Sequence, residues 1–103
     1  MLVDMSIAIE AARLMIYKAA GSDGEAGFPD VTDAARAKIM ASEVAIKVTN
    51  DALQVFGAAG YSRNLPMERM VRDARMFTIG GGTAQILRTV VAHRILGRKL
   101  PQT

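Results

Sequence analysis

The chain has 103 residues, half of them apolar, which is enough for one small domain with a single core. It has no cysteine, which excludes disulfides, thiolate zinc sites and a cysteine nucleophile, and which fits a cytoplasmic protein. The net charge is +3 with both signs interleaved, and without a Lys/Arg block or aromatic–basic alternation it leaves no footprint for nucleic acid.

Residues 2–20 read as a helix. Leu2, Met5, Ile9, Ala12 and Ile16 recur at helical spacing on one face, and Val3, Ile7 and Leu14 form a second apolar set off that face. A helix apolar on two sides needs two partners. In so small a chain the second partner is expected to be another subunit or a domain outside this sequence. Neither this segment nor any later apolar run approaches a membrane span, and the first residues lack a secretory pattern. No Ser, Thr, Asp or Asn stands ahead of Leu2 as a cap, so the helix reads as already under way and the chain as a piece of a longer protein.

The stretch GSDGEAGFPDVT interrupts all periodicity and is expected to reverse the chain as a solvated turn; it lacks the spacing of a calcium loop. Thr32 or Asp33 then caps a second helix that runs to about residue 59. Ile39, Ile46, Leu53 and Phe56 form one of its stripes, and Met40, Val44, Val48 and Val55 another. Glu43 and Lys47 make an i,i+4 pair in the favourable order. At about 25 residues this helix is roughly 38 Å long, so it protrudes from the domain or spans an assembly.

Gly57 and Gly60 end the second helix, and Pro66 sits where a first-turn proline belongs, opening a third helix from 67 to about 77. Gly80, Gly81 and Gly82 interrupt regular helix by their backbone entropy. A fourth helix covers Ala84–Leu96 with Ile86, Leu87, Val90 and Val91 inward, and Gly97 and Pro101 stop it. The expected fold is all-α, an up-down four-helix bundle with mostly short links.

Two glycine-bearing turns are the candidates for chemistry. The GGGT turn precedes a helix whose first N–H groups lack partners, with the Thr83 hydroxyl and Gln85 amide beside them. Taken alone it reads either as a donor cradle for an anion or carbonyl oxygen, or as a flexible link with a threonine cap. It is neither a Walker loop nor a dinucleotide fingerprint, since no Lys-Ser/Thr follows and no strand precedes. The GAAGY turn has the same two readings, the plainer one being a helix end with a packed Tyr61. Arg69, Arg72, Asp73 and Arg75 suit surface ion pairs or a phosphate. His93 has no triad or metal partner at recognisable spacing, and a packing or surface role is expected for it. Glu43, Asp51 and Glu68 are spare carboxylates in contexts that do not mark a general base.

Taken together, ASE, ALQVFG, GY, PMER, RDAR and GTAQI, in that order after DMSIAIEAARLMIYKAA, make a specific combination. It resembles the C-terminal domain of the acyl-CoA dehydrogenases, the flavoenzymes that desaturate acyl-CoA thioesters, over nearly the whole chain. The resemblance implies that residues 1–103 are the C-terminal helical bundle of a three-part subunit. An N-terminal helical domain and a middle β-domain then lie outside these residues. It also implies FAD as cofactor, an acyl-CoA substrate, a homo-oligomer (dimer or tetramer), and an electron-transfer flavoprotein or similar acceptor.

By the same resemblance, Gln54, Val55, Phe56, Gly57 and Ala58 match the segment that touches the dinucleotide part of a neighbouring subunit's FAD, with Ala58 where glycine is usual. Thr83, Ala84 and Gln85 match a second stretch on FAD, and Gly81 and Gly82 match the point where the acyl thioester meets the site. There the Gly81 N–H would polarise the thioester carbonyl. Gly81 stands where many members carry the catalytic glutamate, so this chain supplies no catalytic side chain. The working expectation is a base from an upstream helix, as in some members. The alternatives are a non-catalytic subunit in a mixed oligomer, or a different chemistry. A glutamate introduced at 81 has the right chemistry unless a positive φ there forbids it.

Overall fold

The computed structural model describes residues 1–101. Four long helices stand where the sequence puts them: α1 (Leu2–Ala20), α2 (Val31–Phe56), α4 (Met67–Arg75, prolonged by a 3-10 turn at Met76–Thr78) and α5 (Ala84–Leu96). Among the described residues there is no strand. The added elements are a 3-10 turn at Glu25–Gly27 and the single turn α3 (Ala58–Tyr61). α2 stops at Phe56 rather than near 59, because Gly57 at φ 61° and ψ −139° bends the chain before a new turn begins.

The start of α2 also differs from expectation. Asp30 is the cap, its carboxylate accepting the Asp33 amide at 2.9 Å. Thr32 and Asp33 already lie inside the first turn, where Asp33 instead meets Lys18 at 3.7 Å and Arg36 at 3.8 Å. The Ser22 hydroxyl donates to the Ala19 carbonyl at 2.6 Å and accepts from the Asp30 amide at 2.8 Å. One side chain thus closes the loop between α1 and α2.

α2 is the spine. Its 26 residues extend about 39 Å at 1.5 Å each, against 48 Å for the longest dimension of the molecule. α1, α4 and α5 each pack on α2 rather than on one another. Position along α2 therefore decides what each connecting turn meets.

The buried residues are almost all small: Ala12 and Ala19 beside Met5 on α1, Ala35, Ala37 and Ser42 on α2, Ala74 on α4 and Ala84 on α5. Small side chains let helix backbones approach closely. Met5, Ala12 and Ala19 recur every seven residues, as do Ala35 and Ser42, the spacing of a coiled-coil seam. This seam is narrower than the predicted faces. Leu2 is 70% exposed, Ile9 and Ile16 are also exposed, and so are Val55, Phe56 and Ile86. Alanines occupy the contact lines, and the longer apolar side chains are displaced to the edges, where nothing in this chain covers them. Val3, Ile7 and Leu14, the second apolar set of α1, are exposed as well.

The expected pair of Glu43 with Lys47 does not form. Lys47 donates to Asp51 at 2.8 Å, and Glu43 meets Arg88 of α5 at 2.6 Å, because α5 lies alongside α2 and brings a guanidinium to the earlier carboxylate. No helix of the described residues is long and apolar enough to cross a membrane.

Candidate functional site

The turn before α5 is built by glycine conformation. Gly81 and Gly82 have φ of 70° and 94°, a region that a Cβ disfavours. Thr83 is extended and caps α5, its hydroxyl oxygen accepting the Ile86 amide at 3.1 Å. The hydroxyl keeps its own hydrogen to donate elsewhere. The first-turn amides of Ala84 and Gln85 have no intrahelical acceptor. The Ala84 side chain is buried and Gln85 is exposed.

A lysine from the spine holds this turn. Lys38 Nζ donates to the Gly80 carbonyl at 2.5 Å and to the Gly82 carbonyl at 2.6 Å. A Cβ on Gly81 would lie 3.7 Å from that nitrogen. Reading the sequence for function missed Lys38. Its signal was positional: it lies three residues after Ala35 and four before Ser42, both buried, and a cation on such a stripe needs polar partners.

The second turn is open. Gln54, Val55, Phe56, Gly57 and Ala58 are all exposed, and a Cβ on Gly57 would meet nothing within 4 Å. Ala58 opens α3 without a positive φ, so alanine fits there at no backbone cost. Gly60 is different: a Cβ would come within 2.6 Å of the Leu53 carbonyl and 2.8 Å of Phe56 Cβ. Glycine there lets α3 fold back against the end of α2. Tyr61 is 80% exposed, so the packed tyrosine expected at this helix end is not found; α3 turns its ring outward.

The structure does not bring the two turns together. Residues 38 and 54 lie about 24 Å apart along α2, so the two candidate stretches are separate stations on one helix. Only an extended ligand, or two ligands, can touch both.

The spare carboxylates are paired. The Arg88 guanidinium bonded to Glu43 holds that carboxyl below the usual carboxylate range. Asp51 takes Lys47 and raises its pKa, and Glu68 accepts from Arg72 at 3.2 Å. Arg75 donates to the Thr78 hydroxyl. His93 Nε2 donates to the Leu100 carbonyl at 2.8 Å and ties down the chain after α5. Two apolar grooves, of about 440 Å³ between α1 and α2 and about 410 Å³ between α1, α2 and α5, lie away from both glycine turns.

Residues 1–96 match the family described as acyl-CoA dehydrogenase, C-terminal domain. The chain belongs to the acyl-CoA dehydrogenase family. It is 70% identical over 102 residues to a 3-sulfinopropanoyl-CoA desulfinase of Paraburkholderia xenovorans (strain LB400), covering 99% of this chain and 26% of that protein. It is 46% identical over 95 residues to a short-chain-specific acyl-CoA dehydrogenase of Clostridium acetobutylicum, covering 92% of this chain and 25% of that protein. Among solved structures, butyryl-CoA dehydrogenase from Megasphaera elsdenii superposes with a TM-score of 0.86 at 45% identity, over 92% of this chain and 24% of that one. The chain thus spans about a quarter of the length of the relatives it matches.

Acyl-CoA dehydrogenases are FAD-dependent in general. The residues present are compatible with part of such a site. The backbone at Gly57 faces open space, five consecutive residues around it are exposed, and the start of α5 offers two amides and a hydroxyl. The free amides and the Thr83 hydroxyl suit a ligand rich in oxygen and phosphate acceptors, and Val55 and Phe56 add an exposed apolar edge.

Proposed function

We propose that this chain is the C-terminal domain of a flavoenzyme that removes the sulfinate group from a 3-sulfinoacyl-CoA thioester. The observation that carries the reading is Gly81: the turn assigned to the thioester holds a glycine at φ 70°, with no side chain to act as base. Desaturation needs a carboxylate within reach of the α-carbon, because the α-proton leaves as the β-hydride is transferred. Desulfination does not. The bond between C3 and sulfur breaks, a C–H bond takes its place, and with one water the sulfur leaves as hydrogensulfite. Atoms and charge balance without an electron acceptor, and no net loss of an α-hydrogen is required. The 70% identity to a 3-sulfinopropanoyl-CoA desulfinase supports the same assignment.

In this reading the Gly81 amide polarises the thioester carbonyl, with Gly82 beside it. Thr83, Ala84 and Gln85 would hold part of FAD, and Gln54, Val55, Phe56, Gly57 and Ala58 would meet the dinucleotide part of a neighbouring subunit's FAD. Where desaturation is catalysed, FAD supplies the hydride acceptor. The distance between the two stretches along α2 supports an arrangement in which each serves a different FAD of a dimer or tetramer. The uncovered apolar faces of α1 and α2 support packing against other subunits or domains. The isolated chain holds too few of these contacts to bind FAD firmly or to turn over. The absence of cysteine supports a cytoplasmic setting.

The 46% identity to an acyl-CoA dehydrogenase favours a second reading: desaturation with a glutamate supplied upstream of these residues, and an electron-transfer flavoprotein as acceptor. One experiment separates them. The full-length protein is given 3-sulfinopropanoyl-CoA and, separately, butanoyl-CoA with a dye acceptor. Sulfite release without dye reduction is the expected result. Dye reduction by butanoyl-CoA with no sulfite from the other substrate would overturn the desulfinase reading in favour of the second.

A further inference from the structure

We propose that Lys38 is a positioning residue that aims the Gly81 amide at the substrate thioester carbonyl. The inference rests on the reading above, in which that amide faces the thioester. Lys38 bonds the carbonyls of both Gly80 and Gly82.

The peptide bonds here are trans, and a trans peptide is planar with its C=O and N–H directed oppositely. The carbonyl of Gly80 and the N–H of Gly81 belong to one peptide plane. With the carbonyl drawn to Lys38 on α2, the Gly81 N–H points away from α2. The carbonyl of Gly82 is fixed by the same nitrogen, so the Thr83 N–H is likewise turned outward. The position a Cβ would take on Gly81 lies on the Lys38 side, 3.7 Å from Nζ, which leaves the opposite side of the turn unobstructed.

Three successive glycines are otherwise the least constrained backbone in the chain, and such peptides rotate at little steric cost. A donor for a developing oxyanion acts only if it is held in place before the reaction. Lys38 supplies that hold from a rigid helix. Its bonds are charge-assisted, stronger than neutral ones, and two of its three donors are used on the two carbonyls that flank Gly81. The ammonium also polarises the Gly80–Gly81 peptide, which makes its N–H the better donor. Lys38 touches neither substrate nor cofactor in this account; it acts through the peptide plane.

The test uses full-length flavoprotein and propanoyl-CoA labelled with carbon-13 at the thioester carbonyl, followed by infrared difference spectroscopy. Binding to the wild type lowers the carbonyl stretching frequency. Lys38→Met removes the donor at similar length. It is expected to keep its flavin, lose most of the downshift, and lose about 10²-fold in kcat with KM little changed, the scale of one oxyanion donor. Lys38→Arg recovers part of both. A Lys38→Met protein with the full downshift and wild-type kcat overturns the inference while leaving the thioester assignment standing. A wild type without any downshift removes the thioester from this turn, and both readings fall together. Should Lys38→Met lose its flavin, Lys38→Gln, which stays hydrated at a half-buried position but is too short to reach both carbonyls, decides by the same pair of outcomes.

Discussion

At Gly60 a Cβ would lie 2.6 Å from the Leu53 carbonyl, whereas at Gly81 it would meet nothing nearer than 3.7 Å, and the constraint there is φ 70°. The first turn is shaped by its neighbours in sequence. Gly57 donates to Gln54, Gly60 and Tyr61 donate to Gly57, and α3 presses on the last turn of α2. The second turn is shaped from a distance, by an ammonium more than forty residues away in sequence. Two glycine-rich turns of similar composition thus differ in what holds them. One carries its geometry with it, and the other depends on how α2 is placed.

The largest effect on stability should come from the crowded glycine. Gly60→Val puts a branched side chain against a backbone carbonyl that cannot retreat, and is expected to cost about 3 kcal/mol, the upper part of the range for overpacking. The measure is the urea midpoint. A variant as stable as the wild type would mean that α3 can lift off α2, and that the first turn is less locally determined than the comparison holds.

Next is Gly81→Glu in the full-length protein. The substitution forces a side chain into the left-handed region, at about 1–2 kcal/mol. It also sets a carboxylate close to Lys38. An ion pair there draws the ammonium away from the two carbonyls, so turnover falls and no dye-coupled desaturation appears. Flavin content and turnover are measured together. Full flavin occupancy with new desaturation of butanoyl-CoA would show that the carboxylate escapes Lys38 and reaches the substrate.

These cases also mark what can be read in a sequence of this kind. The four long helices were legible because their ends carry strong local chemistry: Gly57, Pro66, the triple glycine with Thr83, and Gly97. The Thr83 cap is confirmed, while the cap of α2 moved from Thr32 or Asp33 to Asp30 because several acceptors stand close together there. Which members of an apolar stripe would be buried was legible only in part. Met5 and Ala12 are buried as members of the expected face and Ala19 joins them, while Leu2, Ile9 and Ile16 of the same face stay exposed, since period alone does not say which neighbour comes close. Lys38 was hidden for another reason. Its partners are backbone carbonyls, present at every residue, so no side-chain type announces the pairing. The resemblance located the candidate turns; the distance between them and the lysine that orders one of them needed coordinates.

A smaller effect is expected at the cap of α5. Thr83→Ala removes the acceptor for the Ile86 amide and should cost about 1 kcal/mol. If the turn is held chiefly by Lys38, loss of the cap frays the first turn of α5 without releasing the carbonyls of Gly80 and Gly82. Hydrogen exchange should then quicken at Ile86 while the Gly80 amide, bonded to the Met76 carbonyl at 2.8 Å, keeps its protection. Equal quickening across both would make the cap, and not the lysine, the main restraint.

The smallest effect separates the two cross-links that α2 makes toward α5. One runs from Lys38 to carbonyl oxygens, which do not titrate in mild acid; the other joins Glu43 to Arg88 at 2.6 Å. Arg88 lowers the Glu43 pKa on folding, so the pair's contribution is complete above the unfolded value and is lost as pH falls through the folded one. Both side chains are about half exposed, at 44% for Glu43 and 53% for Arg88, which limits the pair to a fraction of about 1 kcal/mol at neutral pH and less in salt. Glu43→Gln should therefore be slightly less stable than the wild type at neutral pH, and the difference should close below the usual carboxylate range. Over the same titration, protection of the Gly80 amide should change less than protection in α5 around Arg88. A difference between the two proteins that stays constant into acid would show that Glu43 contributes through packing rather than charge. The α2–α5 contact would then have no acid-sensitive arm to set against the one that Lys38 makes.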